Sequence, residues 1–85
     1  MNIIYYAGCG SPGRPGNSRT ELRRDGFVLS PTKEFRVGDV VDYSCSSQDF
    51  SLLGPSRRVC NTEGVWQPEL PSCGKTETRD YWGRI

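Results

Sequence analysis

The chain contains no histidine. Because histidine is the commonest general base in enzymes, its absence excludes Ser-His-Asp and Cys-His catalysis and any zinc site that depends on imidazole. The chain is also poor in apolar residues, which make up 34% of its 85 residues, against about 45–50% in an average globular protein. No apolar run approaches the roughly 18–20 residues of a membrane span. A chain this short and this polar needs disulfides, a metal or a partner in addition to its core.

The charge of the chain is nearly balanced, with a formal net charge of +1 at pH 7. This balance gives no bulk attraction to polyanions or membranes, so we expect neither nucleic-acid binding nor direct membrane insertion. The short apolar run at residues 3–7 has no basic start, so we expect no signal peptide in this segment. If the protein is extracellular, we expect this chain to be a piece of a longer one.

The four cysteines are isolated from one another: Cys9, Cys45, Cys60 and Cys73. Zinc ribbons and thioredoxin-like sites depend on close C-x-x-C pairs, and the chain has none. Isolated cysteines in so small a chain instead indicate two disulfides formed in an oxidising compartment. Four cysteines allow three pairings, and their spacing does not choose among them.

The secondary-structure signals are those of strands and turns. The clearest strand is predicted at residues 39–46, where Val41, Tyr43 and Cys45 alternate with a second set of residues and share one face. Shorter strands are predicted at residues 57–61, 64–67 and 27–29.

A hairpin connection is predicted at residues 61–64, between two of these strands. Residues 18–24 carry only a short, weak helical pattern between two glycines, and we predict no helix there.

The acidic residues offer one conceivable acid–base pair, formed by Asp39 with Asp42 or Asp49. Carboxylates on strands and turns of so short a chain are usually exposed, and the chain has little room for a pocket that would raise the pKa of one of them. We therefore expect these residues to be exposed, and we predict no enzymatic activity.

Basic residues are concentrated in one segment, from Arg14 to Arg36, where six basic side chains stand against three acidic ones. Such an excess can mark a patch for an acidic protein or a polyanion, but at so low a net charge a solvated face of mixed charge is the favoured interpretation. Arginine is favoured over lysine at such sites by its planar fork and its enrichment at hot spots. The candidate partner-binding residues are Arg19, Arg23, Arg24, Arg57 and Arg58. We expect only one of the last two to face a given partner, because adjacent residues of a strand point to opposite sides.

An ordered pattern of aromatic residues, glycines, prolines and cysteines runs through most of the chain. Its members are Cys9, Pro12, Pro15, Asn17, Phe35, Gly38, Val41, Tyr43, Cys45, Phe50, Leu52, Gly54, Cys60, Gly64, Trp66, Pro71 and Cys73. Over residues 9–73 this pattern closely resembles a complement control protein module, also called a sushi domain or short consensus repeat. Two features depart from the family: Asp49 stands where glycine is frequent, and the stretch 17–35 is long.

The resemblance implies an all-β, small, disulfide-rich fold, an elongated and β-sandwich-like module with two disulfides. It implies the pairs Cys9–Cys60 and Cys45–Cys73. The module would occupy residues 9–73, between an N-terminal flank or linker at 1–8 and a linker or the start of a next module at 74–85. The expected structural core is Phe35, Val41, Tyr43, Phe50 and Trp66, with the tryptophan against a disulfide.

The resemblance also implies an extracellular, non-enzymatic protein-interaction module cut from a larger secreted or membrane-anchored protein, without a cofactor. Its partner would be a protein ligand or the neighbouring modules of the parent protein, bound through surface loops. Three alternatives stay open: a structural spacer between modules, a module that binds glycosaminoglycans or another polyanion through its arginines, and a small disulfide-rich protease inhibitor with an exposed, rigid reactive loop. In isolation we expect a monomer.

Overall fold

The computed structural model describes residues 8–30 and 32–75. Their strands are β1 (Ser18–Arg24), β2 (Phe27–Val28), β3 (Val40–Cys45), β4 (Phe50–Leu53), β5 (Arg57–Cys60), β6 (Trp66–Gln67) and β7 (Ser72–Lys75). Five of them form an antiparallel sheet in the order β2-β1-β3-β5-β6, and β4 pairs with β7 in a second, two-stranded sheet. None of the described residues lies in a helix long and apolar enough to cross a membrane.

The strand predicted at residues 39–46 is present as β3, the centre of the larger sheet. Its alternation places Val41 and Tyr43 in the interior, where they are 1% and 3% exposed. The face that carries these two side chains is the inner face of the sheet, and Asp42 and Ser44 point to the outer face. The period-2 pattern therefore predicts both the strand and its orientation.

Residues 18–24, for which the sequence predicts neither helix nor strand, form the longest strand of the described chain, β1. Its pattern escapes detection because Leu22 is its only apolar residue. β1 continues into β2 through Asp25 and Gly26, whose φ angles are 55° and 86°. Two successive positive φ angles make a type I′ turn, for which Asp-Gly is a favoured sequence. This dipeptide is the signal that would have identified the hairpin.

The strands predicted at residues 57–61 and 64–67 are present as β5 and β6. The predicted turn between them is closed by two hydrogen bonds, from Asn61 N–H to Val65 O at 2.9 Å and from Gly64 N–H to Asn61 O at 3.0 Å. The strand predicted at 27–29 corresponds to β2.

β4 and β7 are not predicted, because β4 is short with leucines on both faces and β7 contains Gly74. β7 continues to Lys75, so residues 74 and 75 belong to the smaller sheet. The remaining parts of the predicted flanks, residues 1–7 and 76–85, lie outside the described residues.

The buried hydrophobic cluster consists of Cys9, Val41, Tyr43, Cys60 and Trp66. Phe35 packs against it and meets the Trp66 ring edge-on, with the ring centroids 5.9 Å apart and the planes at 75°. Trp66 lies opposite Cys60 in the β5–β6 pair, so its indole covers the Cys9–Cys60 bridge.

Phe50 is the one member of the expected core that does not join this cluster. It is half-buried at the start of β4, opposite Lys75. Leu52 packs on the cluster instead. Leu52 lies opposite Cys73, whereas Phe50 lies farther along the smaller sheet.

Both disulfides have the pairing that the resemblance implies, Cys9–Cys60 and Cys45–Cys73. They lie at opposite ends of β3. Cys60 N–H donates to Asp39 O at 3.0 Å just before the strand begins, and Cys45 is its last residue. At about 3.3 Å per residue the bridges are roughly 20 Å apart along the strand. Each one holds one end of the module.

Removal of either bridge is expected to destabilise the chain severely. The paired cysteines are separated by 51 and 28 positions, and the chain-entropy model gives about 4 kcal/mol for each such loop. The variant Cys9→Ala/Cys60→Ala should lose about this amount in urea unfolding followed by circular dichroism, and Cys45→Ala/Cys73→Ala slightly less. A loss of only about 1 kcal/mol, the size of an ordinary point mutation, would contradict this expectation.

Gly8 offers a sharper test of packing at the Cys9 end of the module. A Cβ at Gly8 would lie 1.5 Å from the carbonyl oxygen of Phe35, whereas a Cβ at Gly10 would meet nothing within 4 Å. Because backbone must move to admit a side chain, Gly8→Ala should cost about 2–3 kcal/mol. Gly10→Ala is the matched control and should change the free energy of unfolding by about 0.5 kcal/mol or less. Equal effects of the two substitutions in calorimetry would show that the close contact is absent.

Candidate partner-binding surface

Strand alternation assigns each candidate arginine to a face of the larger sheet. In β1, Arg24 points to the inner face, whereas Arg19 and Arg23 point to the outer face. In β5, Arg58 shares the inner face and Arg57 points outward. The two arginines of the adjacent pair therefore face opposite sides.

Arg24 is bound to the buried carboxylate of Asp39. The β1–β3 register, extended by one residue, places the two side by side. Nε and Nη2 of Arg24 donate to the two carboxylate oxygens, each at 2.8 Å. One of these oxygens also accepts the Arg36 backbone N–H at 2.8 Å. Asp39 is 1% exposed, so the expectation that it is exposed is wrong: the guanidinium and the amide replace the water that the carboxylate loses.

The Arg24 guanidinium holds the pKa of Asp39 below its usual range. Burial acts in the opposite direction, and the Arg36 amide adds to the effect of Arg24. Asp39 is therefore ionised at neutral pH and bonded at both carboxylate oxygens, and it fixes the end of β1 to the chain before β3. The same pair of bonds commits Arg24 to the fold.

On the outer face a row of charged side chains crosses β1, β3 and β5. Arg57 Nε donates to Asp42 Oδ1 at 2.7 Å. Arg23 Nη2 donates to Glu21 Oε1 at 2.9 Å, and Arg23 Nε lies 3.3 Å from Asp42 Oδ2. The Arg57 hydrogen bond holds the pKa of Asp42 below its usual range, against the effect of partial burial. Two arginines and two carboxylates leave this row without net charge.

Arg58 is bonded to the main chain. Its guanidinium donates to the carbonyl oxygens of Pro12 and Pro68, both at 2.7 Å, and of Trp66 at 3.2 Å. Residues 10–13, which we call the N-terminal segment, are thereby attached to β5 and β6. Arg58 serves as a structural clamp.

Two further side chains hold the N-terminal segment over the inner face. Trp66 Nε1 donates to Gly10 O at 2.7 Å, and the Tyr43 hydroxyl lies 3.1 Å from both Pro12 O and Gly13 O. Proline has no N–H to donate to a sheet ladder, and this segment belongs to neither sheet. Donors from side chains satisfy its carbonyl oxygens instead.

An open groove of about 890 Å³ is bordered by two exposed arginines, Arg14 and Arg19. Neither guanidinium group bonds with any residue that the structure describes. The groove lies between the N-terminal segment and the chain after β2. Side chains that line it include Pro12, Thr20, Leu22, Leu29, Phe35 and Tyr43. Residues 8–30 and 32–75 contain no group of three side chains suited to a metal ion. Two carboxylates also line the groove, Glu21 and Asp42, and they are already bonded to Arg23 and Arg57. The groove therefore combines apolar residues with two arginines whose guanidinium groups have no described partner.

The five candidate arginines thus differ in whether their guanidinium groups are bonded within the fold. Arg19 is the one with a free guanidinium at the groove, while Arg24 and Arg58 are committed to the fold. Arg14 is an addition: it belongs to the basic segment but is not among the five candidates. The sequence feature that marks it is its place between Pro12 and Pro15, in a stretch that belongs to neither sheet.

The chain matches the family model of the sushi repeat (SCR repeat) over residues 9–73. The chain belongs to the sushi family. Both disulfides and the buried Trp66 of this sushi module lie within the matched residues.

Similar regions occur in complement proteins and selectins. Complement C2 of Mus musculus is 34% identical over 74 residues, which cover 86% of this chain and 8% of that protein. Complement factor H of Bos taurus is 40% identical over 46 residues, which cover 54% of this chain and 4% of that protein. E-selectin of Sus scrofa is 38% identical over 47 residues, which cover 55% of this chain and 10% of that protein. This sushi module therefore spans a tenth or less of the length of these curated relatives.

The sushi repeat is a non-catalytic module family. In complement and selectin proteins such modules are extracellular and take part in protein interactions.

Asp39→Asn is expected to cost more stability than the matched change Asp42→Asn. The buried, doubly bonded carboxylate contributes about 2 kcal/mol or more, and the more exposed one less than about 1 kcal/mol. Urea unfolding at pH 7 measures both changes.

The same Asp39→Asn comparison has a pH dependence of defined sign. The folded-state pKa of Asp39 lies below the unfolded value, so its stabilisation is complete above the unfolded pKa of about 3.9 and is lost as the pH falls through the folded-state pKa. The gap between wild type and Asp39→Asn should therefore narrow below about pH 4. A gap that stays constant down to the acid transition would count against the ion pair.

Proposed function

We propose that this sushi module is an extracellular, non-enzymatic interaction module of a larger protein, and that it binds a protein partner at the groove bordered by Arg14 and Arg19. The observation that carries the proposal is that some of the arginines bond within the fold and others do not. Arg24, Arg57 and Arg58 bond within the fold. The two at the groove have no bonding partner in the described part of the chain and remain available.

One wall of the groove is fixed by side-chain bonds and a disulfide. Arg58 and Tyr43 bond the N-terminal segment that forms one wall. The Cys9–Cys60 bridge fixes the chain just before that segment. A surface held in this way loses little conformational entropy on binding, so contacts made there convert efficiently into affinity.

The free cations favour an acidic protein partner. An arginine guanidinium donates paired, parallel hydrogen bonds to a carboxylate, and arginine is enriched at interface hot spots. Arg14 and Arg19 lie beside apolar groove residues such as Leu22 and Leu29. A partner that combines carboxylates with apolar side chains matches both features.

A glycosaminoglycan is the second candidate ligand. It is favoured by a set of exposed cations that lack an ion pair with any described residue, Arg14, Arg19, Lys33 and Arg36. Of these, Arg14 and Arg19 border the groove. The spacer alternative requires no ligand for any of them.

Replacement of both groove arginines is expected to weaken partner binding by about tenfold or more, the effect of losing interface hot-spot residues. The chain is applied to an array of secreted proteins and receptor ectodomains, and each binder is titrated by surface plasmon resonance. The variant Arg14→Ala/Arg19→Ala is compared with Arg36→Ala, an exposed arginine outside the groove lining, which should bind like wild type.

The competing functions predict different results for the same wild-type chain and variants. A spacer yields no binder on the array. A polyanion-binding module elutes from heparin above physiological salt, with a steep salt dependence that the groove variant loses. Equal loss of binding in the groove variant and in Arg36→Ala would place the contact elsewhere on the module.

A further inference from the structure

The edge of the larger sheet is open along the first half of β1. β2 is the neighbour of β1 on that side, but it contains only Phe27 and Val28, which pair with Arg24 and Arg23. One further bond, from Leu29 N–H to Leu22 O at 2.9 Å, extends this contact. No described residue pairs with residues 18–21 on the side away from β3.

The hydrogen-bonding groups of Thr20 point to this open side. In an antiparallel sheet, alternate residues direct both backbone groups to the same neighbour. Leu22 O accepts from the β2 side, so Thr20, two residues earlier, faces that side as well. The partner of Thr20 in the β3 register, Tyr43, confirms the parity because its N–H donates to Ser56 O at 2.7 Å, on the opposite side of β3.

The groove runs beside this unpaired backbone. Thr20 and Leu22 line its floor, and Leu29 lines it on the far side. Arg19, whose side chain points to the outer face, stands at the same edge. An additional strand laid along β1 would send alternate side chains into the apolar groove and toward the Arg19 guanidinium.

We propose that the partner docks by adding one extended segment to the free edge of β1, a segment in which acidic residues alternate with apolar ones. This inference rests on the proposed function and specifies its binding mode. Backbone hydrogen bonds to Thr20 supply affinity, and the alternate side chains supply selectivity. The carboxylates point to the outer face of the sheet, where they pair with Arg19.

A second copy of this chain fits the edge less well. Antiparallel pairing of two β1 strands about Thr20 would bring Arg19 opposite Glu21 of the copy. Glu21 already accepts a hydrogen bond from Arg23 at 2.9 Å, so the copy offers Arg19 a carboxylate whose charge is partly compensated. An acidic segment from another protein brings Arg19 a carboxylate without an existing partner.

The experiment uses the full chain labelled with nitrogen-15 and a blocked synthetic peptide of about seven residues in which glutamate alternates with valine, near the usual length of a strand. The expected result is a set of amide shifts confined to residues 18–22 and the groove, with slower hydrogen exchange of the Thr20 amide. A peptide in which lysine replaces glutamate should give no shifts. The Thr20 N–H becomes protected because it is the donor that the added strand engages.

Thr20→Pro is the decisive variant. Proline removes this N–H, and an edge strand tolerates proline where the N–H faces solvent. The variant should keep the wild-type spectrum elsewhere and lose at least about tenfold in peptide affinity, the share of one or two backbone hydrogen bonds. Thr20→Val, which keeps the N–H, should bind like wild type. If Thr20→Pro alters the spectrum of the core, Arg19→Glu takes its place and should abolish binding with the backbone intact.

Three results would overturn the inference. The first is the absence of amide shifts at about 1 mM peptide, a concentration at which even a weak contact is detected. The second is equal peptide affinity of Thr20→Pro and Thr20→Val. The third is a set of edge shifts that grow with protein concentration in the absence of peptide, which would identify a second copy as the occupant. The array experiment separates this failure from that of the proposed function. A protein binder whose affinity survives Thr20→Pro leaves the interaction role standing and removes only the edge-strand mode.

Discussion

The structure depends on how a proline-containing segment without sheet bonds is held in place. The N-terminal segment joins neither sheet, yet it covers the inner face and carries on from the Cys9–Cys60 bridge. Donors of the sheet reach out to it: Trp66 Nε1 to Gly10 O and the Arg58 guanidinium to Pro12 O, each at 2.7 Å. Without these bonds the carbonyl oxygens would be left without partners beside an apolar cluster, and the wall of the groove would be lost with them.

Strand alternation explains why some arginines bond within the fold and others remain at the surface. A strand shows each face only every second residue, so a basic stretch in a strand divides its charges between two environments. In β1 the division sends Arg24 to a buried carboxylate, Asp39, and leaves Arg19 at the rim. In β5 it gives Arg57 a partly exposed ion pair with Asp42. A small module with little apolar material thus uses several of its charged side chains as internal connections, and the surface available to a partner is smaller than the composition suggests.

Prediction from sequence is reliable here where one physical rule dominates. β3 follows from strict alternation, and the turn at 61–64 follows from its glycine and asparagine. The disulfide pairing rests on the family pattern, because spacing alone leaves three choices. β1 is missed because its inner face carries Ser18, Thr20 and Arg24 beside a single leucine, and its pairing with β3 depends on a distant part of the chain. The burial of Asp39 is missed for the same reason, since a carboxylate becomes buried only when a partner 15 positions away arrives beside it.

Arg58 has an electrostatic consequence that its structural role conceals. Arg24 and Arg57 each face a carboxylate, so their fields are largely cancelled at a distance. Arg58 is surrounded by three carbonyl oxygens, whose dipoles solvate the guanidinium but carry no net charge. A full positive charge therefore persists next to Pro12, which lines the groove. Its potential extends roughly one Debye length, about 8–10 Å at physiological salt, and adds to that of the two rim arginines. For an acidic partner bound at the groove as proposed, Arg58 would therefore add to the long-range attraction, and the association rate would depend on ionic strength more steeply than the two rim arginines alone predict.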